Sequence, residues 1–475
     1  MVARRLRPAA IDGTELRVAL VVGGATALLA LAGIHRLGTE GLLAPLALAA
    51  VALLLTRPRL AMGLLVALVI LCEGPTFGIL TVTSHLYSQL YKYLSVLDLL
   101  VILALLSVAL EVMRERRPLW LPRPLRLPLA ILVLAMLAGV VTGHANGAGL
   151  RYAIVSEHVL CYLLLLPIAI ANLGLDRREV SRVLVVLFAL AAVKAVIGLV
   201  EVAGHYGETV EGTTTLTYYE PAANWLIMLA MLGALAYTLL DRALPPTSVI
   251  LASPLLVACL VLAYRRSFWI AAVLGVLLVV LLGLSPVGRR AMALAALAVI
   301  AAIWLLGSVS FQSQLPIVKR AESLVPSRLE ANLEDRYRLD ERANVLGEIR
   351  KHPITGLGMT IPWSASVQPL SVEHVEGREY VHFAALWYWL KLGILGLCAY
   401  IGMMLASMTL AWRVWRRSRE PLLRAFGLAS LAAVAGLVVI DTTASFTGVD
   451  ARFTVLFAAQ LGLLAAVSRT EPAAD

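Results

Sequence analysis

Residues 267–285 read SFWIAAVLGVLLVVLLGLS and carry no charged side chain. A helix needs about 20 apolar residues to cross the hydrocarbon core of a bilayer, so this stretch predicts a membrane span. Similar stretches recur on both sides of it. They predict about fourteen spans, near 16–34, 41–56, 60–80, 92–112, 126–143, 152–173, 180–203, 221–240, 247–263, 267–285, 291–309, 384–408, 425–441 and 453–468. Some are short and neighbours could merge, so we expect 12–14 helices.

The composition of the whole chain agrees with a membrane protein. Its 475 residues are 60% hydrophobic and only 15% charged. Soluble domains are typically about 45–50% apolar and about 25% charged. These values exclude a soluble enzyme, a nucleic-acid-binding protein and a disordered chain. The predicted fold class is all-α, a polytopic membrane protein. Its net charge of +10 reflects basic residues in the loops between the spans.

The distribution of basic residues between alternate loops predicts the orientation, because cytoplasmic loops of membrane proteins are enriched in Lys and Arg. With the N-terminus inside, the cytoplasmic loops hold Arg57, Arg59, Arg114, Arg116, Arg117, Arg123, Arg126, Arg177, Arg178, Arg182, Arg242, Arg289, Arg290, Arg413, Arg416, Arg417, Arg419 and Arg424. The short external segments hold only Arg36, Lys92, Arg151, Arg265, Arg266 and Arg452. We therefore expect both termini to lie in the cytoplasm.

One connection is much longer than the others. Residues 310–383 form a polar segment that the topology places outside the cell membrane, and unstructured loops of this length are uncommon unless they are functional. From Arg328 to Lys351 the pattern favours an amphipathic helix, which should end at His352-Pro353 because proline disfavours helical geometry in the preceding residue. The predicted units are 1–309 (transmembrane helices), 310–383 (external loop) and 384–475 (transmembrane helices).

Arginines at the external face are the first candidate site. Arg265 and Arg266 directly precede a span, where arginine is costly unless it is paired or functional, and guanidinium groups bind phosphate oxygens well. They could instead be interfacial anchors. Arg338 and Arg342 lie four residues apart on the loop helix and could grip an anion together. Alternatively, Arg338 pairs with Glu334 on a solvated helix face.

His382 opens the span at 384–408 and is the second candidate. The dipole at a helix N-terminus disfavours imidazolium, so a neutral ring there could accept a proton from a hydroxyl group. Alone, it could equally be an interfacial packing residue. The acidic and histidine residues Glu373, His374, Glu376 and Glu379 match no metal-ligand spacing, and we expect no metal and no other cofactor.

Several of these motifs resemble the O-antigen ligase and polymerase superfamily of bacterial membrane glycosyltransferases. The pattern h-P-x-x-G-x-G is present at 352–358, and H-x-x-x-L followed by G-x-x-G places His382, Leu386, Gly393 and Gly396 at the family's offsets. Arg338 and Arg266 match family arginines, and Asp98 resembles an early aspartate. The segment 218–225 is similar to the loop before the family's middle span. The usual asparagine after the histidine is Phe383 here.

The resemblance implies a GT-C-like fold and a metal-independent transfer of a glycan from an undecaprenyl-diphosphate carrier to an acceptor hydroxyl. The acceptor would be a glycan, a lipid or a cell-wall polymer, and membrane lipids but no nucleic acid would be partners. His382 would be the general base, and Arg266, Arg265, Arg338 and Arg151 would bind the diphosphate. Further substrate contacts would come from Arg342, Tyr219 and Glu220.

Two alternatives stay open from the sequence. A polymerase of the same superfamily would differ only in adding the glycan to another carrier-linked repeat. A lipid-glycan transporter would use the intramembrane charges Asp98, Glu157, Lys194 and Glu201 and should show an internal repeat, which the sequence lacks.

Overall fold

The structure is a computed structural model that describes residues 43–72, 86–87, 89–91, 94–204, 208–209, 216–217, 221–241, 247–263, 265–284, 333–370 and 377–470. In these ranges the protein is all-α, as predicted, apart from two short antiparallel pairs, β1 (Gln89–Tyr91) with β2 (Leu94–Ser95) and β3 (Glu208–Thr209) with β4 (Leu216–Thr217). The helices are α1 (Leu43–Thr56), α2 (Pro58–Leu71), α3 (Val96–Arg114), α4 (Arg123–Ala145), α5 (Leu150–Val155), α6 (His158–Ala171), α7 (Arg177–Ala203), α8 (Pro221–Asp241), α9 (Thr247–Leu262), α10 (Arg266–Gly283), α11 (Leu333–Lys351), α12 (Ala384–Arg417), α13 (Pro421–Ile440) and α14 (Ala451–Thr470).

Within the described ranges, nine helices are long and apolar enough to cross a membrane, or ten if one bent pair counts as a span. The chain is therefore a multi-pass membrane protein. The bent pair is α1 with α2, whose axes differ by 116°, and the break at Arg57 follows from Pro58, which disfavours helical geometry before it. The spans expected at 41–56 and 60–80 are thus two short halves, and α9 has only 16 residues. The expected spans at 16–34 and 291–309 lie outside the described residues.

Helix α3 begins later than the predicted span at 92–112, because a capping motif sets its first residue. Ser95 caps the helix, since its Oγ accepts from the Asp98 backbone N–H while the Asp98 carboxylate accepts from the Ser95 N–H at 2.7 Å. The helix begins at Val96, after a strand pair. Asp98 also accepts a hydrogen bond from the Tyr162 hydroxyl on α6, so this intramembrane carboxylate joins two helices.

The carboxy-terminal helices form the centre of the bundle. α14 is buried along nearly its whole length, and α13 is buried over most of its own. Both are apolar on all sides, which is the pattern expected of a helix surrounded by other helices. α12 packs lengthwise on α4, where Gly402 lies against the ring of Pro128.

A break at Gly393 divides α12 into a short first part and a long second part. Gly393 has φ +68°, and a Cβ there would lie 2.2 Å from the Ile354 carbonyl oxygen. A Cβ on Gly396 would lie 2.4 Å from the Tyr388 carbonyl oxygen, and the rings of Tyr388 and Tyr400 are only 5.1 Å apart. The two parts therefore fold close against each other, and the G-x-x-G motif is what lets their backbones approach.

The second glycine motif, at 352–358, packs against this break, and we call it the docking segment. Gly356 and Gly358 have φ values of +65° and +89°, and a Cβ on either would collide with the backbone of Leu390 or Gly143. The segment donates from Leu357 N–H to the Leu390 carbonyl (2.7 Å) and accepts at the Ile354 carbonyl from Ile394 N–H (2.9 Å). It thereby fixes the end of α11 to the start of α12.

α11 confirms the predicted loop helix over 333–351 and ends before His352-Pro353 as expected; residues 328–332 lie outside the described residues. Asn344 anchors it to the following loop, because its side-chain oxygen accepts from Val367 N–H (2.8 Å) and Gln368 N–H (3.0 Å). Its amide group donates to the Gln368 carbonyl at 2.7 Å. One face of α11 is buried, so it is not a solvated helix.

Candidate active site

His382 and Glu341 form a buried pair between α11 and the start of α12. The His382 side chain is 5% exposed and Glu341 is fully buried. His382 Nδ1 lies 3.2 and 3.1 Å from the two Glu341 oxygens, and its backbone N–H donates to the same carboxylate at 2.9 Å. A carboxylate can only accept hydrogen bonds, so Nδ1 carries a proton. In a neutral ring, Nε2 is then the nitrogen that can accept a proton. Helix α12 begins two residues later, so a carboxylate rather than the helix dipole is the direct partner of the ring.

Two tyrosines flank the His382 ring. Tyr337, four residues before Glu341 on α11, meets it edge-on at 5.8 Å, and Tyr380 does so at 4.9 Å. Tyr380 is held by the loop between α13 and α14, since its hydroxyl accepts from Ser445 N–H at 2.9 Å. The ring of His382 is therefore fixed in one orientation by aromatic contacts and by Glu341.

Arg266 and Arg338 meet at Asp335. Arg266 is the first residue of α10 and is 8% exposed; its Nη2 donates to both Asp335 oxygens at 2.5 and 2.7 Å. Arg338, one turn further along α11, reaches the same carboxylate at 3.5 Å. Two guanidinium groups therefore share the Asp335 carboxylate. The expected alternative for Arg338, a pair with Glu334, is not resolved, because the Glu334 side chain is outside the described residues.

Both clusters include residues of helix α11. Asp335 and Glu341 are six residues apart on α11, which corresponds to about 9 Å along the helix axis, and Arg338 lies between them. His382 and the two arginines are thus brought together by the packing of α10, α11, α12 and the loop at 441–450. Such a site can accept a proton from a hydroxyl group and bind an anion beside it.

The other predicted arginines lie around this centre. Arg265 is the residue directly before α10, and its guanidinium lies 5.5 Å from the ring of Phe446 in the loop between α13 and α14. Arg342 stands 5.5 Å from the ring of Phe383. Arg151 is exposed on α5, and the next residue, Tyr152, donates to Glu379 at 3.4 Å, so α5 lies against the segment before His382.

Some predicted site residues cannot be located. Tyr219 and Glu220 lie outside the described residues, as do Glu373, His374 and Glu376. In the ranges that the structure does describe, no group of three or more His, Cys, Asp or Glu side chains is arranged to hold a metal ion.

Sequence reasoning missed three residues of the site: Glu341, Asp335 and Tyr380. Each is an ordinary residue type in an unremarkable position, and only the contact with a distant segment gives it a role. A weak signal was present, since Asp335, Arg338 and Glu341 recur every three residues on the predicted helix. The intramembrane charges Glu157, Lys194 and Glu201 are buried in α5–α7 and lie outside this cluster.

The comparison with known families now bears on the site. The family described as O-Antigen ligase matches residues 251–401. The match covers about a third of the chain, which is similar over these residues to an O-antigen ligase domain. This domain holds α10, α11 and His382, and its match confirms the resemblance to the O-antigen ligase and polymerase superfamily. The function is accordingly of the O-antigen ligase or polymerase type. No curated protein matches the chain.

Proposed function

We propose that this protein is a membrane glycosyltransferase that moves a glycan from an undecaprenyl-diphosphate carrier to an acceptor hydroxyl on the external face of the bacterial inner membrane. The observation that carries the proposal is the Glu341–His382 pair beside the Arg266–Asp335–Arg338 cluster, both of which include residues of α11. The O-antigen ligase domain supports the reaction class.

His382 is the general base in this proposal. Its Nε2 takes the proton of the acceptor hydroxyl while the acceptor oxygen forms a bond to the anomeric carbon. The bond from that carbon to the diphosphate oxygen breaks, and the electron pair leaves with the carrier diphosphate. Glu341 holds Nδ1–H, fixes the tautomer and stabilises the imidazolium that forms, as a carboxylate does in other hydroxyl-activating sites.

Arg266 and Arg338 bind the diphosphate, with Arg265, Arg342 and Arg151 as further contacts. The leaving group gains negative charge as its bond to the sugar breaks, so preorganised guanidinium groups stabilise the transition state more than the bound donor. Asp335 positions Arg266 and Arg338 side by side. Because arginines supply this charge stabilisation, the reaction needs no Mg²⁺, and activity should persist in EDTA.

The test uses the purified full-length protein with a carrier-linked repeat unit, in buffer containing EDTA. The donor is offered alone and then with a lipid, glycan or cell-wall acceptor. Transfer only to an added acceptor identifies a ligase, and chain growth from the donor alone identifies the polymerase alternative. If neither product forms with any acceptor and no metal restores activity, the proposal is wrong.

A transporter is the competing class. It would depend on intramembrane charges such as Asp98. Asp98 caps α3 and accepts from Tyr162, which gives it a structural role instead. The proposal therefore assigns the chemistry to α11 and His382.

A further inference from the structure

A second basic cluster lies at the end of the helix bundle opposite His382. α4 runs from Arg123 to the contact of Gly143 with Met359 beside the candidate site. The long second part of α12 runs from Gly393, which contacts Ile354 of the docking segment, to Arg417. The first turn of α4 and the last turn of α12 therefore meet at the far end. A cavity of about 210 Å³ lies there, lined by Arg123, Arg126, Arg413 and Arg417 together with Trp120, Leu121, Pro122, Val414 and Ser468.

Among the described residues, no carboxylate compensates the charge of this cavity. In the described part of the chain, no carboxylate lies within ion-pair distance of any of the four arginines. The nearest acids in sequence are engaged elsewhere, since Glu115 pairs with Arg117 and Glu420 accepts from Ser181. Four guanidinium groups around one space repel each other, and an anion in that space removes the repulsion.

The first turn of α4 adds to this positive charge. The helix has no acidic residue in its first turn and no side-chain cap, since its N-cap is Pro122. A helix N-terminus carries a partial positive charge, so arginines at positions 123 and 126 are placed against the dipole. An anionic ligand would satisfy both the arginines and the helix end.

The surroundings favour a lipid headgroup over a free anion. Arg123 and Arg126 lie on the same face of α4 as a stripe of lipid-exposed apolar residues, which are Leu127 (68% exposed), Leu134, Leu137 and Val141. This face of α4 is thus basic at one end and apolar along the rest. A phospholipid has the same arrangement, with a charged headgroup at one end and apolar acyl chains beyond it. Trp120 and Trp412 lie at the same level, where tryptophan marks the membrane interface.

We propose that this cavity binds the phosphate group of an anionic phospholipid, with the acyl chains along the exposed face of α4. Basic pockets between transmembrane helices on the cytoplasmic side are suited to such headgroups. Guanidinium groups from two helices can each take phosphate oxygens in a forked arrangement. The bound lipid would stabilise the contact between the start of α4 and the end of α12. This site is separate from the proposed donor site and does not depend on its chemistry.

The test compares two double variants of equal charge. The detergent-solubilised full-length protein is titrated with phosphatidylglycerol or phosphatidylcholine, and bound lipid is counted by native mass spectrometry. Arg126→Gln/Arg413→Gln removes two arginines from the cavity, and Arg114→Gln/Arg419→Gln removes two exposed arginines that do not line it. Size-exclusion elution checks that both variants fold.

We expect phosphatidylglycerol to bind more tightly than phosphatidylcholine, and the cavity variant to lose about 30-fold in affinity. The control variant should lose less than about threefold, because charge attraction falls off with distance. Equal losses in the two variants would mean general surface attraction and would overturn the proposal. Competition by inorganic phosphate or glycerol 3-phosphate as effective as by the lipid would make this a free-anion site and would also overturn it. A cavity variant that does not fold is replaced by Arg413→Gln alone, which should lose about fivefold in affinity, whereas Arg419→Gln should leave the affinity nearly unchanged.

Discussion

At the scale of single residues, the proposed mechanism assigns proton transfer and anion binding to different residues. His382 is oriented by Glu341, whereas Arg266 is oriented by Asp335, and the two pairs share no residue. Substitutions in the two pairs should therefore have different kinetic effects.

The first prediction concerns His382 and Arg266. His382→Ala should lower kcat by about 10²–10⁴-fold with little change in donor binding, because a general base acts only as the bond forms. Arg266→Ala should weaken donor binding and kcat together, because diphosphate charge is already present in the bound donor. Arg266→Lys should recover only part of the loss, since an ammonium group lacks the planar fork. Steady-state kinetics with purified variants measure both effects, and normal turnover by a folded His382→Ala protein would remove the base assignment.

The second prediction concerns Glu341, the residue that positions the base. Glu341→Gln keeps a side-chain oxygen that can accept from the His382 backbone N–H but loses the negative charge, so kcat should fall by about 10²-fold or more while the donor KM stays the same. Glu348→Gln is the matched control, because Glu348 is also a buried glutamate of α11 but accepts from Lys351 at 3.1 Å and from Ser364. The control should lower thermal stability and leave kcat nearly unchanged. Equal kinetic losses in both variants would indicate that α11 is simply disturbed.

At the scale of elements, two glycine motifs build the site without contributing a reactive group. The break in α12 at Gly393 and the docking segment at 352–358 fix the start of α12, and with it His382, against the end of α11. Trp363 adds to this by donating from its indole N–H to the Tyr380 carbonyl at 3.0 Å.

The third prediction tests the break in α12. Gly393→Ala should strongly destabilise the protein and abolish activity, because its new Cβ would lie 2.2 Å from the Ile354 carbonyl oxygen in addition to the strain of φ +68°. Gly377→Ala is the control, since Gly377 has the same φ of +68° but nothing within 4 Å of an added Cβ. The control should cost only about 1–2 kcal/mol. Thermal unfolding in detergent and transfer activity compare the two, and similar stability of both variants would argue against a tight break.

The fourth prediction concerns the loop between α13 and α14 and its pH dependence. Burial raises the pKa of the Asp441 carboxyl to about 7, although a hydrogen bond from the Tyr400 hydroxyl at 2.8 Å acts in the opposite direction. A carboxyl with a pKa higher in the folded than in the unfolded protein loses its favourable contribution as the pH rises from about 3.8 to about 7. Asp441→Asn should therefore stabilise the protein, with a gain that grows over this range and is level above it. Melting temperatures between pH 4 and pH 8 check the slope, and a gain independent of pH would contradict it.

At the scale of the whole molecule, the two basic regions lie at opposite ends of the bundle. The Arg266 and Arg338 cluster lies beside His382 and is paired with Asp335, whereas the four arginines at the ends of α4 and α12 have no acidic partner among the described residues. The first arrangement suits a reactive diphosphate held in a fixed position. The second suits a membrane lipid.

The fifth prediction tests the orientation that underlies both proposals. In a cysteine-free background, Val367→Cys should react with a membrane-impermeant maleimide in intact cells, because it follows α11 in the external loop and is 60% exposed. Leu119→Cys, which is 68% exposed next to the second basic cluster, should react only after permeabilisation. The opposite labelling pattern would invert the molecule and place the proposed active site in the cytoplasm.

The amino-acid sequence is enough to predict a polytopic membrane protein, because a membrane span needs only a local run of apolar residues. It also determined the helix at 333–351, its end before His352-Pro353 and the candidates His382, Arg266 and Arg338, whose residue types are unusual at a membrane face. The partners of these residues could not be predicted, because they come from distant parts of the chain. Glu341 is 41 residues from His382 and Asp335 is 69 residues from Arg266, and these pairings depend on how α10, α11 and α12 pack. The helices at 41–56 and 60–80 likewise became a bent pair, since hydropathy measures whether a segment is apolar and not the direction in which its axis points.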